Sequence, residues 1–470
     1  MPSPILSSEL SRRALLGAGG LAALGAIATS WPRLTASDIP GRHDDALTIA
    51  IIGTSQDAAA RQNIVDAFMR QHPDIPVRIQ AIQGADWGDF FAKILTMVAA
   101  GQSPDVVTVA TEGAQLFADR LALPLDRYIQ RDAEQMRQYF DDVHPSLIEA
   151  FMYKGSQYVL PTDFNCANMY YNTDVMAAAG LERPADDWTR EDFVAMLRAM
   201  KTHSSATSTP YFWTNRLFGG VVPWLYVNDT SILVESHAPG GEWLWDTFYP
   251  DQAGTRTGGP LWTASNALDD RVGETFEFLR QLVVDGLGVR PEEGGGNTLV
   301  GLFASGQVGA TPAGGYWAYG LHEAKMRSDQ FDVQFFPRWR TQRHQFGAAG
   351  YAVMRDTDRA DQAWEWIKFV TSEEGMALAY PNPNTTPTRR SMVNAAFYSE
   401  TGPQHWQVFY DTLDRFPTSG PIPAPPAQAA VEMALAKNVA AAVSGSAASV
   451  TTAMSQLHTD LSVALEGSNR

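Results

Sequence analysis

YKGSQYVLPTDFNCANMYYNTDVMAAAGLERPADDWTREDFVAMLRAMK, residues Tyr153 to Lys201, is the stretch that decides the fold. Within it Tyr158-Val159-Leu160 and Met169-Tyr170-Tyr171 are short β-prone runs, and Pro161 between them fixes φ and cannot donate to a sheet ladder. A strand that leaves one sheet and enters another reads this way. Thr189 with Asp192 three residues later is a capping signal, and Phe193, Met196, Leu197 and Met200 recur at helical spacing. An amphipathic helix is predicted from about Thr189.

Upstream, the run Leu47 to Gly53 is continuously apolar and ends in glycine, as a buried parallel strand does. A helix carrying Ile64, Val65, Phe68 and Met69 follows, then an alternating strand from Pro76 to Ala81. A second helix through Phe90, Phe91, Ile94, Leu95 and Val98 and a third strand from Asp105 to Val109 complete the series. Strand, helix, strand, helix, strand is a doubly wound α/β pattern, which gathers loops at the carboxyl ends of its strands, where ligands bind. Downstream, helices are predicted over Arg190 to Met200 and through Val272, Phe276, Leu279 and Val283. C-terminal helices should run through Val450, Met454, Leu457, Leu461 and Leu465, while Trp243 to Leu261 reads as an insertion or surface loop.

The first 40 residues are expected to be a signal peptide and linker. Arg12-Arg13 precedes an apolar run from Ala14 to Ala28, shorter than a membrane-spanning helix needs, with small residues at Ala26 to Ala28 for cleavage. The twin arginine resembles a Tat signal, with a Sec signal as the alternative. The single cysteine, Cys166, lies far from the apolar run and reads as a buried small hydrophobe, so neither a lipid anchor nor an internal disulfide is expected. The 430 or so residues beyond this segment exceed what one core usually supports, which predicts two lobes. A net charge of −17 argues against nucleic acid and anionic membrane as partners. No nucleophile elbow, zinc-protease helix, phosphate loop or zinc-spaced cysteine pair is present, so the reading calls for no cofactor, no metal and no catalytic residue.

The order of motifs in Tyr153 to Lys201 resembles the extracellular solute-binding proteins of family 1, the ligand-capturing subunits of ABC importers. They comprise a Gly-aromatic turn, Leu160-Pro161, Tyr170 to Asp174, Ala179-Gly180-Leu181 with Pro184, and Trp188-Thr189. Further matches are Leu302 to Pro312 with Ala313-Gly314-Gly315-Tyr316-Trp317, where Gln307 replaces a common lysine, and Gly347 to Met354. The resemblance implies an α/β, two-lobed periplasmic-binding-protein fold of type II with three hinge crossings. Lobe 1 would hold residues 45–163 and 338–384, and lobe 2 residues 164–337 and 385–470. It further implies a periplasmic monomer that captures a mono- or oligosaccharide between the lobes and hands it to ABC permease subunits. Two rivals are open: the same fold binding an anionic ligand such as a glycerophosphodiester, signalled by a cleft-facing Arg389 or Arg338, and a secreted glycoside-active enzyme with paired carboxylates.

Sugar rings show apolar C–H faces rimmed by hydroxyls, so their sites pair flat aromatics with side chains that accept or donate two hydrogen bonds. The loops expected at the cleft carry that mixture. The resemblance puts Trp317 at a frequent stacking position and Glu112 at a carboxylate position. Tyr316 and Trp317 follow Gly314 and Gly315, where the absent β-carbons would let a ligand approach the backbone. Ser55 and Gln56 follow the first strand, and Asp163 and Asn165 sit at the hinge. Trp213, Asn215, Trp224, Trp87, Gly350 and Tyr351 complete the candidate set.

Overall fold

A computed structural model describes residues 45–203, 209–289, 296–444 and 446–468. The apolar runs become strands where expected: β1 Leu47–Ile52, β2 Val77–Ile82 and β3 Val106–Ala110. The signature segment supplies β4 Leu160–Cys166 and β5 Asn168–Asn172. β6 Thr209–Tyr211, β7 Leu233–His237, β8 Pro260–Ser265, β9 Val308–Ala313, β10 Phe331–Gln334, β11 Gln345–Val353, β12 Thr386–Pro387 and β13 Gly420–Pro421 follow. The first sheet runs β12-β4-β11-β3-β1-β2, with β13 beside β11; the second runs β10-β5-β9-β6.

Only Ala167 separates β4 in the first sheet from β5 in the second, and its N–H donates to the carbonyl of Gln345 on β11 at 2.9 Å. The switch comes six residues later than Pro161, which instead lies inside β4 beside a register shift against Gly350. The chain returns to the first sheet between β10 and β11. Because β12 and β13 still pair there, the last passage follows Pro421, later than the expected boundary at residue 385. The signal segment and its export route lie outside the described residues.

Strand alternation decides which core each hinge residue joins. On β5, Met169 and Tyr171 point into the second core, with Trp224, Phe276 and Leu279, while Tyr170 points into the first. Through Tyr170 the first core continues onto one face of the second sheet, reaching Trp317, Phe331 and Val333. The helices Arg190–His203, Asp270–Val284, Gln428–Ser444 and Ala447–Ser468 cover the other face. Among the described residues no helix is long and apolar enough to cross a membrane.

Trp243 to Leu261 is not a surface loop. It forms a helix, Glu242–Phe248, and the start of β8, which pairs antiparallel with β7. Leu244, Trp245, Phe248 and Tyr249 are buried in the first core, Phe248 stacks on Phe140 at 4.1 Å, and the Tyr249 hydroxyl donates to the carbonyl of Val143 at 3.0 Å. Glycines make this docking possible: Gly259, at φ +102°, lies so close to Met152 that a Cβ would sit 2.1 Å from its carbonyl oxygen.

Candidate functional site

A cavity of about 530 Å³ opens between the two sheets, within the size range of small-molecule sites. The first lobe contributes Trp87, Glu112, Asp163 and Gly347 to Ala349; the second contributes Trp213, Thr214, Arg216, Phe218, Thr311, Tyr316 and Trp317. Asn165 stands at the hinge between them. A hollow of about 590 Å³ beside Tyr153, Lys154 and Trp262 is larger, yet its lining includes neither Glu112 at the end of β3 nor Asp163 and Asn165 at the hinge.

Local structure explains each placement. Asp86 caps the helix Trp87–Ala99 by accepting from the Asp89 N–H at 2.9 Å, which sets Trp87 in the first turn, stacked on Phe91 at 5.7 Å. Glu112 follows the carboxyl end of β3, the position at which a doubly wound sheet presents ligand groups. The helix Tyr316–Glu323 has no cap of its own, and Asn165 Oδ1 fills that role by accepting from the Tyr316 N–H at 3.2 Å. The Asn165 amide also donates to the Thr385 hydroxyl at 3.1 Å, and that hydroxyl donates to Asp163 at 2.7 Å. The loop at Trp213 to Val221 is pinned to the hinge by buried Gln345, whose side chain accepts from the Gly219 N–H and donates to the Leu217 carbonyl, both at 2.9 Å.

Burial shifts both cavity carboxyls upward because desolvation penalises their charged forms. Glu112 is pushed up to about 7, with the negative charges of Glu432 and Asp86 adding to the effect. Asp163 reaches about 6 despite its hydrogen bond from Thr385. Arg216, the one cation among the described lining residues, lies 4.0 Å from Asp86 of the first lobe. Among the described residues, no group of three or more His, Cys, Asp or Glu side chains is arranged to hold a metal ion.

The candidate residues divide into three groups. Trp87, Glu112, Asp163, Asn165, Trp213, Tyr316 and Trp317 meet at the cavity. Trp317 is only 6% exposed, its ring packed edge-on against Tyr170 and Phe303, whereas Tyr316 is 43% exposed. Tyr316 is therefore the freer platform. Asn215 lines an adjoining hollow rather than the cavity.

The remaining six lie elsewhere. Trp224 is fully buried among Phe193, Phe278 and Phe336, with its indole N–H on the Tyr211 hydroxyl at 3.0 Å. Ser55 and Gln56 open an exposed helix whose capping box is closed by Thr54 and Asp57. Gly350 and Tyr351 serve strand packing: a Cβ on Gly350 would sit 2.1 Å from the Leu160 carbonyl oxygen, and Gly347 to Ala349 line the cavity in their place. Gly315 is required by Thr386, whose hydroxyl lies 2.2 Å from where its Cβ would be, and the neighbouring Gly314 is pressed against Asn165 in the same way. These two glycines make room for the hinge, not for a ligand.

Arg216, Phe218 and Thr214 escaped the sequence reading. The only signal for them was their place in the run from Trp213 to Gly220, where paired glycines end a turn: Gly219 adopts φ +70°, and Gly220 has no room for a side chain beside Thr214.

Comparison with known proteins agrees with this architecture. A curated binding protein of Brucella abortus is 27% identical over 128 residues, which span 27% of this chain and 29% of that relative. An ABC substrate-binding protein from Listeria monocytogenes, solved in complex with cycloalternan, superposes with a TM-score of 0.69 at 20% identity, covering 88% of this chain and 98% of the other. The sugar-binding protein MalE from Xanthomonas citri gives a TM-score of 0.70 at 15% identity over 90% and 98%. At these identities the likeness is one of fold, the two-lobed arrangement of maltose-binding-type proteins. Residues 53–377, more than half of the sequence, match the family described as bacterial extracellular solute-binding protein. With the two sheets, the hinge at Ala167 and the cavity between them, that match makes this chain a member of the bacterial extracellular solute-binding proteins.

Proposed function

We propose that this protein is the periplasmic substrate-binding subunit of an ABC importer and that its ligand is a carbohydrate, trapped between the lobes and passed to a membrane permease. The observation that carries this reading is the composition of the cavity: the rings of Tyr316, Trp87 and Phe218 surround acceptors and donors from Glu112, Asp163, Asn165 and Thr214. Flat apolar faces beside two-way hydrogen-bonding groups match a sugar ring. Ligand binding favours the closed state by its differential contacts with both lobes, and no bond chemistry is required.

An anionic ligand fits less well. Arg389 is buried and bonded to Asp142 at 3.1 Å, Arg338 lies at the Thr189 bridge, and neither reaches the cavity. Two carboxyls raised by burial already resist negative charge, and a phosphodiester would add more. Thermal-shift screening of the mature protein against sugars and glycerophosphodiesters tests the proposal, since a ligand that binds only the native state raises Tm. A shift with sugars and none with the phosphodiesters is expected; the reverse pattern would overturn the carbohydrate reading.

A further inference from the structure

Gln345, the first residue of β11, touches all three passages between the lobes. Its carbonyl accepts from the Ala167 N–H in the first, the chain enters β11 through it in the second, and it pairs in register with Gly420 of β13 just before the last. Its side chain is fully buried, yet neither end of the amide serves its own strand. Oε1 accepts from the Gly219 N–H and Nε2 donates to the Leu217 carbonyl, so the two bonds bracket Phe218. Leu217 and Gly219 are themselves buried, and release of the amide would orphan two backbone groups away from water.

Phe218 sits where the helical path breaks: its ψ is 126°, and Gly219 follows at φ +70°. With the backbone held on either side, the ring is delivered to the cavity, 6.5 Å from the ring of Tyr316. It also lies over Gly347 of β11, where a Cβ would be 3.5 Å from it. Tyr316 is held in a parallel way, since Asn165, which accepts from its N–H, stands opposite that same Gly347 in the pairing of β4 with β11. Two amides on neighbouring strands of the first sheet thus place two aromatic rings that the second lobe contributes. The aromatic wall belongs to the hinge.

We infer that Gln345 is a positioning residue for ligand binding: it fixes Phe218 beside Tyr316 before the ligand arrives, so the loop is ordered in folding and not at the moment of binding. The inference rests on the carbohydrate reading of the cavity and adds how its wall is set. The test is a double-mutant cycle read by calorimetry with the sugar that gives the largest thermal shift. Gln345→Met keeps the side-chain volume and removes both bonds; it should weaken binding about tenfold, the cost of ordering a freed loop and its ring on binding. In a Phe218→Ala background the same change should cost less than about twofold, because no ring is left to place. Gln157→Met alters an equally buried glutamine, bonded to the Val159 carbonyl and absent from the cavity lining, and should lower Tm with affinity kept within about twofold. In the apo protein, hydrogen exchange over Leu217 to Val221 should quicken in Gln345→Met and match wild type in Gln157→Met. If Gln345→Met does not fold, Gln345→Asn, which draws the amide back by one methylene, carries the same expectations. Equal losses in the two backgrounds, unchanged affinity or unchanged exchange would overturn the inference alone. If no sugar binds, the carbohydrate reading falls, and exchange by itself decides whether Gln345 holds the loop.

Discussion

Tyr316→Ala and Trp317→Ala, adjacent in sequence, should separate binding from folding. A tyrosine buries ~150–250 Å² when fully covered, and Tyr316 retains 43% of its exposure in the open cavity. That leaves roughly 65–110 Å² for a ligand to cover, or about 2 kcal/mol at 25 cal/mol per Å². A sugar covers one ring face, so the expected loss is about 1–2 kcal/mol, a five- to thirtyfold weaker Kd. The apo protein should lose little stability, because the bond from the Tyr316 N–H to Asn165 belongs to the backbone and survives. Trp317, 6% exposed and packed on Tyr170 and Phe303, should behave oppositely: truncation leaves a core cavity and costs about 3–5 kcal/mol of stability. Calorimetry with the cognate sugar and denaturant unfolding of the apo variants read the two quantities. Unchanged affinity in Tyr316→Ala, or a stability loss there equal to that of Trp317→Ala, would refute the assignment of platform and wall.

The raised carboxyls give a signed pH dependence. Glu112, at about 7 when folded and near 4.3 when unfolded, contributes stability that is complete below the unfolded value and lost as pH rises through 7. Buried His144 and His344, both held below the usual imidazole value by desolvation, tilt the whole-protein curve the other way in acid. The informative quantity is therefore the wild-type minus Glu112→Gln difference in unfolding free energy, which should fall by ~1–3 kcal/mol between pH 5 and 8; a flat difference would contradict the burial. Gly314→Ala would place a methyl 2.5 Å from the Asn165 Cβ and should destabilise the protein by about 1–3 kcal/mol in urea unfolding; a neutral result would show the hinge to be looser than drawn. Glu112 and Asp163 share a cavity as a glycosidase pair would, but incubation with oligosaccharides should release no new reducing ends.

Much of the fold was legible because periodicity and punctuation are local. The three strands of the first lobe, the helix after Thr189 and the C-terminal helices each announce themselves in a window of a dozen residues. The misread parts depend on partners distant in sequence. Trp224 reads like any cleft tryptophan until Phe278 and Phe336 close over it, and Trp243 to Leu261 looks like a loop until Phe140 receives Phe248. Gly314 and Gly315 read as room for a ligand until Asn165 and Thr386, distant in sequence, are seen to fill the space a side chain would need. Arg216 was illegible because its role depends on Asp86, which another lobe and 130 residues of chain place beside it.

The most direct measurement is a crystal structure of the protein with the sugar that gives the largest thermal shift. The account requires sugar density between the lobes, one ring against Tyr316 within hydrogen-bonding reach of Glu112 or Asp163. Density confined to the hollow beside Lys154 and Trp262, or a cavity empty at saturating sugar, would contradict it.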